Sequence, residues 1–283
     1  MKKNVLNTDL SGKVAVVTGA GGVLCSNFSK TLARAGARVA LLDINVDAAK
    51  ICAEEICSEG GIAKAYACNV LDKSSCIEAA KNVKEELGSC DILINGAGGN
   101  NPMATTDREY YESGDIDADI KSFFDLDSAG VEFVFNLNFI GTLIPTQVFA
   151  EQMLGKTGCS ILNVSSMNAY RPLTKIPAYS GAKAAVSNLT QWLAVHFSKV
   201  GIRVNALAPG FFSTKQNAKL LWNDDGTPTQ RTGKILVATP MGRFGNTEEL
   251  EGGLLFLLDE NSASFITGVV LPIDGGFSAY SGV

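Results

Sequence analysis

The chain has 283 residues, 46% of them apolar and 19% charged, enough to bury a sizeable core and too apolar for wholesale disorder. Its 24 basic and 29 acidic side chains leave a net charge of −5 with no long basic run, so nucleic acid is not an expected partner. One histidine excludes a multi-imidazole metal centre, and none of the seven cysteines forms a C-x-x-C pair, so no metal is expected.

Met1 to Leu10 has two lysines with no apolar stretch behind them, unlike a signal peptide. The longest apolar runs fall short of the roughly 20 residues of a membrane span. With its unpaired cysteines, the chain reads as cytoplasmic. The first strand is Val14 to Val17, ending in the turn Thr18-Gly19-Ala20-Gly21-Gly22. Leu24, Phe28 and Leu32 then recur at helical spacing until Gly36. Arg38 to Asp43 is the second strand, followed by a helix near Asp47 to Ser58, a strand near Ala63 to Cys68 and a helix near Ser74 to Leu87. Asp91 to Asn95, Ser160 to Ser165, Arg203 to Leu207 and Gly268 to Ile273 complete seven strands. Strands alternating with helices predict an α/β, doubly wound Rossmann fold in one domain over 1–283: a mostly parallel sheet, helices on both faces and a site beyond the strands' carboxyl ends.

Two segments interrupt this rhythm. The insertion at about 99–132 contains Asp107 to Asp119, six acids against Arg108 alone, which reads as a solvated excursion or as a substrate-selecting element. The segment at about 211–243 follows the sixth strand and holds Lys215, Gln216, Asn217, Arg231 and Lys234; its position favours a substrate lid.

A glycine turn between strand and helix suits a dinucleotide, because the backbone approaches the pyrophosphate and the helix N-terminus supplies N–H donors. Asp43 strengthens this. Its carboxylate suits the adenosine ribose hydroxyls and repels a 2′-phosphate, so NAD is expected over NADP. Tyr179 and Lys183, four apart on one helix face, form a proton-transfer pair, with Ser166 at a strand end to hold a substrate oxygen. His196 lies about 140° round the helix from Lys183 and is expected to be structural. Trp192 and Phe197 read as core or subunit contacts. Cys25 reads as packing, with a lowered thiol pKa at the helix N-terminus as its alternative.

In order, T-G, Asp43, N-x-A-G, N-x-N-x-x-G-T, S-S…Y-x-x-x-K and P-G-x-x-x-T make the chain resemble a short-chain dehydrogenase/reductase from about Leu10 to Gly276. The resemblance implies a catalytic tetrad of Asn138, Ser166, Tyr179 and Lys183. Tyr179 would be the acid/base and Ser166 would polarise the reacting oxygen. Lys183 would bind the nicotinamide ribose and depress the Tyr179 pKa, and Asn138 would anchor a proton-relay water. The implied cofactor residues are Gly19, Gly22, Leu24, Asp43, Asn69, Val70, Asn95, Gly96, Ala97, Tyr179, Lys183, Pro209, Gly210, Phe212 and Thr214.

Three positions depart from the family pattern. The usual glycines at 23 and 25 are Val23 and Cys25, an Asp is replaced by Asn69, and N-N-A-G becomes Asn95-Gly96-Ala97-Gly98. Longer strings, including INGAGGNNP at 94–102 and SSMNAYRPLTKIPAYS at 165–180, resemble the family's D-mannonate oxidoreductase branch. That branch implies an NAD-linked sugar-acid reaction, D-mannonate to D-fructuronate, in a homotetramer built through the helices near Asn138 and Tyr179 and the last strand. Another sugar acid, a polyol, a secondary alcohol, or NAD binding without turnover are the alternatives. Candidates to hold the substrate and its carboxylate are Asn168, Arg171, Lys175, Lys215, Gln216, Asn217 and Arg231; Arg243, in a string common across the family, is set aside.

Overall fold

In the computed structural model, which describes residues 8–214 and 221–282, seven strands form one sheet in the order β3-β2-β1-β4-β5-β6-β7, with every neighbouring pair parallel. The strands are β1 (Val14–Thr18), β2 (Arg38–Asp43), β3 (Ile62–Ala67), β4 (Ile92–Asn95), β5 (Cys159–Val164), β6 (Ile202–Pro209) and β7 (Val270–Ile273). All residues of β1, β4 and β5 are buried, as expected of strands covered on both faces. Edge strand β3 instead alternates buried with exposed positions.

The helices are α1 (Val23–Arg34), α2 (Val46–Ser58), α3 (Lys73–Glu86), α4 (Ser128–Phe135), α5 (Gly141–Ala150), α6 (Pro177–His196), α7 (Gln230–Ala238) and α8 (Glu251–Leu258). One face of the sheet packs Phe28 and Leu32 of α1, Ile56 of α2 and Leu254 of α8 into a single core. The other packs Val83 of α3, Phe149 of α5 and Leu189 and Leu193 of α6. Local chemistry starts several of these helices. Asn45, Asp72, Asp127 and Thr229 each accept a backbone N–H from the first turn, and Pro177 stands in the first turn of α6.

The strand order reverses between β1 and β4, which opens a crevice at the carboxyl end of the sheet. The 99–132 insertion is not regular helix. It makes three short 3-10 turns, Pro102–Ala104, Asp115–Asp117 and Phe123–Asp125, before α4 begins. Ala104 and Val134 pack with Ala178 and Ala182 in a small third core, against which the Tyr179 ring rests. One run, Ser128–Met153, is long and apolar enough by length and composition alone to cross a membrane, and half of its apolar window is buried inside the protein, as in a core helix.

Candidate active site

The glycine turn fits a dinucleotide at three points. Gly19 has φ +65°, and a Cβ there would stand 2.8 Å from Ala97 Cα, so the β1 and β4 turns meet backbone to backbone. Thr18 Oγ1 ties the same turns together by accepting the N–H groups of Gly96 (3.1 Å) and Ala97 (3.3 Å). Helix α1 begins at Gly22 with no side-chain cap and no acid in its first turn, leaving its N–H groups for an anionic ligand. These features suit a pyrophosphate.

Asp43 is oriented by this turn. Its Oδ2 accepts the Gly21 N–H at 2.8 Å and its Oδ1 accepts the Asn45 N–H at 2.8 Å. Each oxygen keeps acceptor capacity for a ribose hydroxyl. Asn69 is exposed and uses Oδ1 on the Leu71 N–H, which leaves its amide donors available. Val70 is buried against Gly141, and Leu24 is half-buried against the core. Gly210 donates its N–H to the Ile273 carbonyl, and buried Phe212 pairs with Gly245 beyond the end of β6. Thr214 is the last described residue before the gap, and Lys215, Gln216 and Asn217 lie outside the described residues. Asn95 differs from the others. Its side chain is buried in the core, donating to Thr146 Oγ1 and Asn163 Oδ1 at 2.9 Å each, so only its backbone faces the turn.

Two of the departures prove to be one feature. A Cβ on Gly96 would lie 2.1 Å from Cys25 Sγ, so the thiol of α1 fills the space that a side chain at 96 needs. Cys25 is buried, and desolvation pushes its thiol up to about 12, Lys183 pulling down and Asp43 pushing up by less. The lowered-pKa alternative for Cys25 is thus corrected: burial outweighs any effect of the helix N-terminus.

Of the four residues the resemblance implies as a tetrad, Ser166, Tyr179 and Lys183 gather where β5 meets α6, with Asn138 on the neighbouring helical run. The helical run from Ser128 is broken by a π turn, Asn136–Ile140, with buried Asn138 at its centre, the kind of bulge that accumulates at functional sites. Asn138 Nδ2 donates to the Gly99 carbonyl (2.7 Å) and the Val134 carbonyl (2.8 Å), and Oδ1 accepts the Gly99 N–H (3.3 Å). Its side chain is therefore a brace holding the end of β4 against the helix. A Cβ on Gly98 would meet both Asn138 Oδ1 at 2.6 Å and Lys183 Nζ at 3.1 Å, so both groups approach the space a side chain at 98 would take.

Lys183 Nζ donates to the Val164 carbonyl at 2.8 Å and lies 5.6 Å from the centre of the Tyr179 ring. Burial pulls this ammonium down to about 8, with Cys25 opposing. Burial pushes the half-buried Tyr179 phenol up to about 12, and the neighbouring Ser166 hydroxyl acts the other way. The expected depression of Tyr179 by Lys183 is not what governs this phenol: desolvation dominates, and the group set to favour phenolate is Ser166. Tyr179 as a neutral acid beside a charged lysine is suited to giving a proton to a carbonyl oxygen.

A cavity of about 290 Å³ is bounded by Glu109, Lys175, Phe211, Arg231, Lys234 and Phe277 among others, and Lys175 connects it along the chain to the start of α6. Lys175, four residues before Tyr179, is the one non-glycine among the described residues with positive φ, +71°, and its carbonyl accepts the Thr106 N–H of the insertion. A left-handed lysine in the wall of a cavity is strain retained at a candidate site. Lys234 Nζ reaches Glu109 Oε1 at 2.8 Å. Phe211 and Phe277 meet edge to face, centroids 5.4 Å apart.

Lys175 and Arg231 thus come together, whereas Arg171 is spent on the Tyr280 carbonyl and Arg243 is bidentate on Glu249. Buried Asn168 gives its N–H to Ser166 Oγ, and its Oδ1 has no hydrogen-bond donor. Glu109 and Phe277 were not anticipated here; the only signal was an acidic run and a basic segment in one chain. His196 is exposed and stacks on exposed Trp192 away from the tetrad, and Phe197 closes the end of α6. No metal-ligand cluster occurs among the described residues.

The short chain dehydrogenase family model matches residues 13–224. An uncharacterized oxidoreductase of Haemophilus influenzae is 61% identical over 98% of this chain and 97% of its own length. The uncharacterized oxidoreductase UxuB of Bacillus subtilis is 50% identical over 98% and 99%. A solved Haemophilus structure with bound NAD, provisionally named a D-mannonate oxidoreductase, superposes with TM-score 0.95 at 60% identity, covering 99% of each chain. The fold and these matches agree: the chain is an oxidoreductase belonging to the short-chain dehydrogenase family.

Proposed function

We propose that this enzyme is NAD-dependent and interconverts D-mannonate and D-fructuronate. The observation that carries the sugar-acid reading is the cationic cavity that Lys175, four residues ahead of Tyr179 in the chain, and Arg231 line from separate segments, a space the size of a small polar ligand. The provisional name of the Haemophilus structure supports the same substrate. Asp43, followed by Ile44 and Asn45 with no cation to receive a 2′-phosphate, supports NAD.

When bound, the nicotinamide supplies or accepts the hydride. Tyr179 gives its phenol proton to the substrate oxygen in reduction and takes it back in oxidation. Ser166 holds that oxygen, and Lys183 keeps positive charge near the phenol. Lys175 and Arg231 hold the carboxylate, and the free Asn168 Oδ1 accepts from a sugar hydroxyl. The homotetramer is supported by exposed apolar side chains, Phe133 and Phe135 on α4 with Trp192 and Val195 on α6, and by the half-exposed edge strand β7. A monomer by light scattering would remove that part of the proposal.

The test is the initial rate with D-fructuronate and NADH, against NADPH and 5-ketogluconate as controls. A kcat/KM above roughly 10⁴ M⁻¹s⁻¹ with NADH, well over both controls, is expected. Tyr179→Phe should lose turnover and keep NADH binding. Turnover no better than with the controls would discard the substrate and leave the family standing.

A further inference from the structure

The acidic insertion, read from sequence as a solvated excursion or a substrate-selecting element, contributes one carboxylate to the proposed substrate cavity, and its acids are otherwise largely self-contained. Arg108 pairs with Glu112 at 3.0 Å and with buried Asp115 at 2.6 Å, and Asp107 accepts the Lys121 N–H at 2.7 Å. Glu109 alone of these acids lines the cavity, facing Lys175, Arg231 and Lys234, the charged groups among its described lining residues. Lys234 first, then the fields of Lys175 and Arg231, hold the Glu109 carboxyl below the usual carboxylate range. The cavity therefore has three cations and one anion, and the anion is already placed on Lys234.

From this geometry we infer that Glu109 is a specificity-determining residue that restricts the cavity to singly charged sugar acids. By pairing with Lys234 it leaves Lys175 and Arg231 for one substrate carboxylate. A second anionic group on the substrate meets Glu109 or must displace it from Lys234, so dicarboxylates and phosphorylated sugars are disfavoured. The inference rests on the proposed reading of the cavity as the carboxylate site.

The experiment compares NAD-dependent oxidation of mannitol, D-mannonate and D-mannarate, which carry zero, one and two negative charges, by the wild type, Glu109→Gln and Lys234→Gln. Glycerate and tartronate, of similar size with one and two carboxylates, serve as competitive inhibitors. Glu109→Gln is expected to raise the D-mannarate to D-mannonate ratio of kcat/KM about three- to tenfold at low ionic strength, with a parallel shift in the inhibitor ratio. The exposed pair makes this gain shrink as salt is added. Lys234→Gln is expected to move both ratios the opposite way, because Glu109 then stands unpaired. A purely structural tie between insertion and α7 predicts equal losses in both variants at every charge, and that result would overturn the role of Glu109. If D-mannonate is oxidised no better than mannitol, the inhibitor ratios still report the charge preference. If Lys175→Ala and Arg231→Ala do not weaken glycerate, the carboxylate reading of the cavity falls, and the inference with it.

Discussion

The Gly96–Cys25 contact gives a quantitative test of the cofactor turn. Gly96 is not in the left-handed region, so Gly96→Ala is resisted by packing alone. Its Cβ would lie 2.1 Å from Cys25 Sγ, where an ordinary contact is about 3.5–4.0 Å, and 3.0 Å from the Thr18 carbonyl oxygen. An overlap of about 1.5 Å against a buried side chain belongs at the upper end of overpacking costs, about 3 kcal/mol. Cys25→Ala alone removes one buried sulfur and should cost about 1 kcal/mol, because alanine suits a helix. In the double variant the new Cβ stands 3.7 Å from the Cys25 Cβ, an ordinary contact, and occupies the volume that the sulfur leaves. The 3.0 Å approach to the Thr18 carbonyl oxygen persists, so the double variant should cost about 2 kcal/mol rather than about 4, a coupling of about 2 kcal/mol. Urea unfolding of the four proteins measures this, and NADH binding by fluorescence should follow the same order. A Gly96→Ala protein within about 0.5 kcal/mol of wild type, or additive costs, would refute the argument.

Further expectations concern Asp43, Lys183 and Lys175. Asp43→Ala removes a charged acceptor and leaves the Gly21 N–H without its partner; NADH should bind about 10- to 100-fold more weakly and the preference should move toward NADPH, whereas an unchanged ratio of kcat/KM would contradict the assignment. Carbonyl reduction uses protonated Tyr179 beside charged Lys183, and Lys183 sits at about 8 while Tyr179 sits at about 12. The kcat/KM for reduction should thus be level at neutral pH and fall as pH rises through about 8, when Lys183 loses its proton, with Tyr179 still protonated; a level profile well beyond pH 9 would count against it. Lys175→Gly should relieve the left-handed backbone by about 1 kcal/mol, raising Tm by about 2 °C, while KM for a sugar acid rises. Lys175→Ala should raise KM equally without the gain in Tm, and equal Tm values for the two would remove strain from the account.

Much of this protein is legible along the chain because the signals are local. A strand buried on both faces must read as an apolar run, as Val14 to Val17 and Asp91 to Asn95 do, and the turn after it needs glycine wherever backbone meets backbone. Tyr179 and Lys183 share a helix face by spacing alone, and Asp43 ends a strand at a countable distance from Gly19. Only tertiary structure decided the rest. Whether the acidic run faces solvent or substrate depends on which side chain reaches α7, and Glu109 and Lys234, 125 residues apart, have no sequence relation that announces their contact. That the Asn95 amide goes to Thr146 and Asn163, leaving its backbone toward the cofactor turn, is set by packing between strands and helix and not by the local motif. Cys25 and Gly96 read as two separate departures, because steric exclusion acts between atoms that the fold brings together and leaves no periodicity in the chain.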